Sequence, residues 1–245
     1  MFAWIAGGTI AGAIMGSFLA TLVLRWPAGR TLGGRSACDS CAARLGVVDL
    51  APVLSYLMLR RRCRHCGARI DLLHPAIELI CADIGGTFLA LSPGLDGAAG
   101  AVFGWILVAL AALDLRHFWL PDRLTGLLAV LGVAGAFAGL YPEPLDRLIG
   151  GGIGFASLML LATGYRALRG REGLGGGDPK LFGAIGLWLG WQPLAYVLLL
   201  ASALGLAAAA AMLLRRRQIG LTTRLPFGSL LAVAAIAVWG FSRAA

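Results

Sequence analysis

The sequence predicts an all-α polytopic membrane protein of about eight transmembrane helices, with a small cytoplasmic zinc-binding insertion between helices 1 and 2. Three observations predict it. The 245 residues are 59% hydrophobic and only 13% charged, about half the charge of an ordinary soluble domain. Long apolar runs recur, and a spanning helix needs roughly 20 such residues. The basic residues cluster in alternate connections between those runs, as the positive-inside rule requires of a multi-pass chain.

Taken in order, the candidate spans are residues 2–24, 75–92, 98–117, 123–141, 147–168, 179–191, 193–214 and 225–243. The first lacks the basic n-region of a cleavable signal, so it reads as a membrane helix. The sixth is short and shares an apolar run with the seventh, broken only at Gly190-Trp191-Gln192-Pro193. Seven spans are therefore the alternative to eight. The 36 glycines suit a compact bundle, because small residues let membrane helices approach closely. No internal repeat stands out.

Arg25, Arg30, Arg35, Arg44, Arg60, Arg61, Arg62, Arg64 and Arg69 lie in residues 25–74. Arg116 and Arg123 flank the next odd connection, Arg166, Arg169, Arg171 and Lys180 the one after, and Arg215, Arg216, Arg217 and Arg224 the last. Only Arg147 and Arg243 fall outside the pattern. This basic set faces the cytoplasm and both termini lie outside. The net charge of +9 is spread in short runs rather than on one basic face, which argues against a nucleic-acid partner and for anchoring to the lipid bilayer. The domain organisation that follows is helix 1 (1–24), a cytoplasmic four-cysteine domain (25–74) and a transmembrane catalytic bundle (75–245).

The soluble segment holds "CDSC" (Cys38, Cys41) and "CRHC" (Cys63, Cys66). Two C-x-x-C pairs at this spacing predict a structural four-thiolate zinc site, closed to further ligands. Two disulfides or four idle thiols are the bland alternatives, and a reducing cytosol disfavours the disulfides. His65 reads as a bystander, and Cys81, inside a helix, as packing.

Acids at the ends of membrane helices are costly and point to function. Asp114 closes "WILVALAALD" and Asp178 closes "GLGGGD". Both fall at cytoplasmic helix ends, where a facing pair could share a proton and hydrolyse a peptide as an aspartic dyad. The three glycines would let a substrate backbone approach. The bland readings are an N-cap before Pro179 for Asp178, an ion pair with Arg116 or His117 for Asp114, and an N-cap for Asp122. Helix ends would make Asp178 the ionised partner and leave the shared proton on Asp114. A proton- or ion-coupled transporter could use Asp114 and Asp178 as relay acids, but would place them near mid-membrane and show repeat symmetry. A zinc-stabilised scaffold without catalysis is a third reading.

Several stretches, in order, resemble the type IV prepilin leader peptidases, membrane aspartic proteases of the Gly-x-Gly-Asp kind. They are "GSFLATLVLRWP" from Gly16, the paired C-x-x-C motifs with "VLSYL" between them, "HPAIEL" from His74, "DLRHFWLPD", "GREGLGGGDPKL" and "LPFGSLLA". The resemblance implies that Asp114 and Asp178 are catalytic. It implies cleavage of a short basic leader after glycine on a prepilin or pseudopilin, at the cytoplasmic face of the bacterial inner membrane. It further implies N-methylation of the new amino terminus from S-adenosylmethionine. Where the methyl donor binds is not readable; Glu78 and Glu172 are possible polar contacts. Ala20 stands for the family's Asn, Asp71-Leu72-Leu73-His74 for a small, a basic and an aromatic residue, and Ser229 for a common proline.

Overall fold

The computed structural model describes residues 1–34, 36–46, 48–171, 173–215 and 225–244. Arg35, Glu172, Arg216, Arg217 and Arg224 lie outside the described residues. Among the described residues the chain forms nine α-helices: α1 (Phe2–Arg25), α2 (Leu54–Met58), α3 (Leu73–Leu91), α4 (Leu95–His117), α5 (Asp122–Phe137), α6 (Pro144–Arg169), α7 (Gly177–Leu189), α8 (Leu194–Leu214) and α9 (Phe227–Ala244). Each predicted apolar stretch forms its own helix, and Gly190–Pro193 does separate α7 from α8. Six helices have the length and apolarity to cross a bilayer: α1, α3, α4, α6, α8 and α9. The eight expected spans include α5, with 16 residues, and α7, with 13. Both fall short of the roughly 20 needed.

The chain divides into two compact units, Met1–Ala109 and Leu110–Ala245. In the first, α1 lies on α3 along a glycine seam. A Cβ on Gly8 would overlap the Gly85 carbonyl, one on Gly12 the Cys81 carbonyl, and one on Gly16 the backbone of Glu78. Four-residue spacing puts Gly8, Gly12 and Gly16 on one face of α1, so the two backbones can touch where side chains would hold them apart. Cys81 is fully buried at this seam, as the packing reading expects. The segment between α1 and α3 is held by two tight cysteine turns, each closed by an isolated antiparallel bridge, Ala37 with Arg44 and Arg62 with Arg69.

In the second unit, α7 is wrapped by α5, α6 and α9. Gly150 and Gly154 of α6 abut Gly186 and Phe182 of α7, backbone against backbone. This fit explains how a 13-residue helix is held: ten of its residues are buried. The end away from Asp178 is fixed by Arg147, which is 2% exposed. Its guanidinium donates to the carbonyls of Gly132, Leu140, Tyr141, Pro142 and Leu187 at 2.9–3.1 Å. One side chain thus joins the end of α5, the 140–142 turn and the end of α7. Arg243 donates to the Tyr141 carbonyl at 3.1 Å and stacks on the Tyr141 and Trp239 rings. The two basic residues outside the charge pattern are therefore both committed to the same turn.

Replacing Arg147 with Leu leaves the carbonyls of Gly132, Leu140, Pro142 and Leu187 without this donor, two of those bonds being fully buried, and should cost about 2–5 kcal/mol. Arg147→Lys, which lacks the planar fork, should recover only part of it. Thermal unfolding of the detergent-solubilised protein measures both; an unshifted midpoint for Arg147→Leu would show that the clamp is not structural.

Candidate functional site

Asp114 lies in the last turn of α4, after a continuous buried run from Trp105 to Leu113. It is 5% exposed and Asp178 is 6% exposed. A carboxylate at this depth needs donors, and both have them. Asp114 Oδ2 accepts the Ser229 backbone N–H at 2.7 Å. This N–H belongs to the first turn of α9, where helix N–H groups have no intrahelical acceptor. Asp178 is the second residue of α7, and its Oδ2 accepts the Gly175 N–H at 3.1 Å.

The two acids converge on Gly228. A Cβ built there would stand 3.1 Å from Asp114 Oδ2 and 3.1 Å from Asp178 Oδ1. The two oxygens thus flank one point and lie no more than twice that distance apart. The same Cβ would press on Leu120, which also covers Gly177. A glycine is required at 228 by space, and Leu120 of the "LPD" motif walls the acids on that side.

Several sequence expectations change here. Asp114 takes its hydrogen bonds from α9, across 115 residues, rather than from Arg116 or His117. Asp178 is no N-cap: that position is Gly176, and Asp178 is inside the first turn. Asp122 caps nothing either; the N-cap is Pro121, and Asp122 pairs with Lys180 at 2.7 Å on the surface. The glycine run serves its own chain: Gly175 donates to Asp178 and Gly177 makes room for Leu120. The helix-end placements are as expected, Asp114 in the last turn of α4 and Asp178 in the first turn of α7, but a third helix joins them. Asp114 ends α4 but meets the N-terminus of α9, so each acid faces a helix N-terminus. Ser229 acquires a meaning the sequence did not give it. A proline there, common in the resembling family, has no N–H to give Asp114. Sequence reasoning missed the part played by Gly228, Ser229 and Leu120; the quoted "LPFGSLLA" and "LPD" were the available signals.

The second cluster is the cysteine group. Sγ atoms of Cys38, Cys41, Cys63 and Cys66 all lie within 4.8 Å of one another, with Cys38 and Cys66 at 3.9 Å. The S–S edge of a tetrahedral four-thiolate zinc site is about 3.8 Å, so the cluster could hold a metal ion. No disulfide forms among the described cysteines. The Cys66 and His65 backbone N–H groups pull the Cys63 thiol down to about 6. Cys66 goes up to about 11: the Ala68 N–H favours its thiolate, but Cys41, burial and the other thiols outweigh it. Four crowded thiols cannot all ionise without a cation among them. His65 contributes its backbone N–H to Cys63 Sγ, at 3.4 Å, and stands outside the cluster as expected.

Comparison with known proteins places this geometry. Residues 101–210 match the type IV leader peptidase family, and residues 10–91 match the bacterial peptidase A24 N-terminal domain. The chain is 37% identical to the prepilin leader peptidase/N-methyltransferase of Aeromonas hydrophila, over 85% of this chain and 72% of that protein. It is 36% identical to the protein of the same name from Dickeya chrysanthemi, over 94% and 90%. The counterpart from Burkholderia pseudomallei (strain K96243) is 39% identical over 84% and 67%. No solved structure matches the chain. With relatives alike over most of both chains, this protein belongs to the type IV leader peptidase family.

Proposed function

We propose that the protein is a membrane aspartic endopeptidase that removes the short basic leader of a prepilin or pseudopilin after glycine, at the cytoplasmic face. Asp114 and Asp178 are its catalytic pair. The observation that carries the reading is the convergence of both buried carboxylates on Gly228. Two carboxyls brought this near one another in a buried setting disfavour double ionisation, so the pair holds one proton. The ionised one takes a proton from water, and the protonated one donates to the scissile carbonyl, so attack and carbonyl activation occur together. Gly228 leaves the gap between the carboxylates open for the reacting groups. The substrate's apolar helix lies in the bilayer beside the enzyme, which accounts for a peptidase built into a membrane: the bond it cuts is at the bilayer surface.

The relatives carry a second activity in their names, N-methyltransferase. We assign it to this chain as methylation of the amine that cleavage exposes; S-adenosylmethionine, when bound, supplies the electrophilic methyl group. Cys38, Cys41, Cys63 and Cys66 hold a structural zinc ion, whose four thiolates leave no open position for chemistry. Nothing favours the transporter alternative. Its relay acids belong near mid-membrane, whereas Asp114 and Asp178 stand at helix ends.

Leader cleavage by purified protein should fall about a thousandfold in Asp114→Asn and in Asp178→Asn. Retained cutting by both would end the peptidase reading. Gly228→Ala should cost roughly a hundredfold by displacing the acids from each other, and its overlap with Leu120 should lower the thermal unfolding midpoint by a few degrees as well. Cys38→Ser should lower the zinc bound per chain in elemental analysis; undiminished zinc would remove the four-thiolate assignment.

A further inference from the structure

We propose that the face of α3 centred on Asp83 docks within the bilayer against the same face of a second copy of this chain. The inference does not depend on the peptidase reading, and it concerns a residue that reading leaves unused.

α3 has the length and apolarity to cross a bilayer. Asp83 lies near its middle, about 15 Å from the start at ~1.5 Å per residue, against a hydrocarbon layer of about 30 Å. The other acids of the spanning helices are either buried, as Glu78 and Asp114 are, or stand in the first turn, as Asp96 and Asp146 do. Among the described residues Asp83 is the one acid exposed in mid-span. Its side chain makes no hydrogen bond or ion pair among those residues, nor does that of Thr87, one turn further on. A carboxyl at the centre of a bilayer is costly, and such groups face a partner or a water-filled space.

The rest of α3 is already engaged. One side carries the glycine seam with α1. A second side meets α4, where Trp105 Nε1 donates to the Cys81 carbonyl at 2.8 Å and a Cβ on Gly104 would press on Ile84. What remains open is Ala76, Ile80, Asp83, Thr87 and Ala90. They are spaced alternately by four and by three residues, which is the seam of a left-handed helix pair. Their character also differs from a lipid-facing surface. The exposed positions of α8 include Leu199, Leu206 and Leu213, and those of α6 Leu148, Leu160 and Leu161. On α3 two alanines flank an acid and a hydroxyl, and small and polar residues are what joins helices in lipid.

Self-complementarity selects the occupant. A partner must present, at mid-bilayer, groups that both donate to and accept from a carboxyl. Loop charge inserts every copy in the same orientation, so two α3 helices run parallel with equal residues at equal depth. A twofold axis along the membrane normal then sets Asp83 against Asp83, with the Thr87 hydroxyl of each copy one layer away. Two carboxyls in such a pair disfavour double ionisation, so one donates to the other, and the threonine hydroxyls donate to the oxygens that remain.

The test is energy transfer between differently labelled copies of the full chain in lipid vesicles, with the protein-to-lipid ratio varied. Wild type should associate saturably. Asp83→Leu, apolar at an exposed position, should weaken association about tenfold or more. Asp83→Asn, whose amide both donates and accepts, should stay within a few fold of wild type. A benzoylphenylalanine photocrosslinker at Ile80 should give a product of twice the chain mass joined through residues 73–91, and the same group at Tyr196 of α8 should not. Wild type that stays monomeric at every ratio, or Asp83→Leu that associates as wild type does, would overturn the proposal. So would crosslinks from position 80 to residues 110–245 of the same chain, to lipid alone or to a different protein.

Discussion

Two carboxylates buried in an apolar bundle can persist only if backbone donors hold them, and the carboxyl-terminal unit is organised around that requirement. Asp114 ends α4, Asp178 begins α7, and α9 begins where both arrive. The first N–H groups of α9 have no intrahelical acceptors, so one of them supplies what Asp114 needs. The same helix start must also fit between the two acids. That is why its second residue is glycine, with no side chain to part them.

Convergence of this kind demands that helices come closer than ordinary side chains permit. The seam of Gly150 and Gly154 against Gly186 and Phe182 meets the demand for α6 and α7. Arg147 then fixes the far end of α7 by replacing water for five carbonyls at once. Position at one end of the helix and anchorage at the other are the two halves of one device. A short helix gripped along its length has little freedom to carry Asp178 away from Asp114. The amino-terminal unit uses the same close approach for α1 on α3.

Much of this was legible in the sequence, for physical reasons that differ by residue. Helices and the break at Gly190–Pro193 follow from apolar length and from residues that end helices. Asp114 and Asp178 stand out because charge is expensive in apolar runs, and the four cysteines because their spacing encodes a shared centre. What was not legible depends on contacts far apart in the chain. Nothing local in Gly228 or Ser229 announces a partner 115 residues away. The helix-end argument was incomplete for the same reason: each acid stands on its own helix where expected, but the argument could not include α9. Arg147 was visible only as an exception to the charge rule, and its burial explains the exception. Glu78 was noticed only as a polar contact, while its hold on the Val53 N–H required the fold.

The lengths of α5 and α7 carry a consequence for the surrounding lipid. At 1.5 Å per residue they extend about 24 Å and about 20 Å, against a hydrocarbon layer of about 30 Å. Neighbouring helices that fall short oblige the bilayer to thin or admit solvent above them. Asp178 opens the shorter of the two, so a layer thinned over them would shorten the path between solvent and its carboxylate. A hydrolase set among lipid needs water at its acids, and helices of this length would ease that supply.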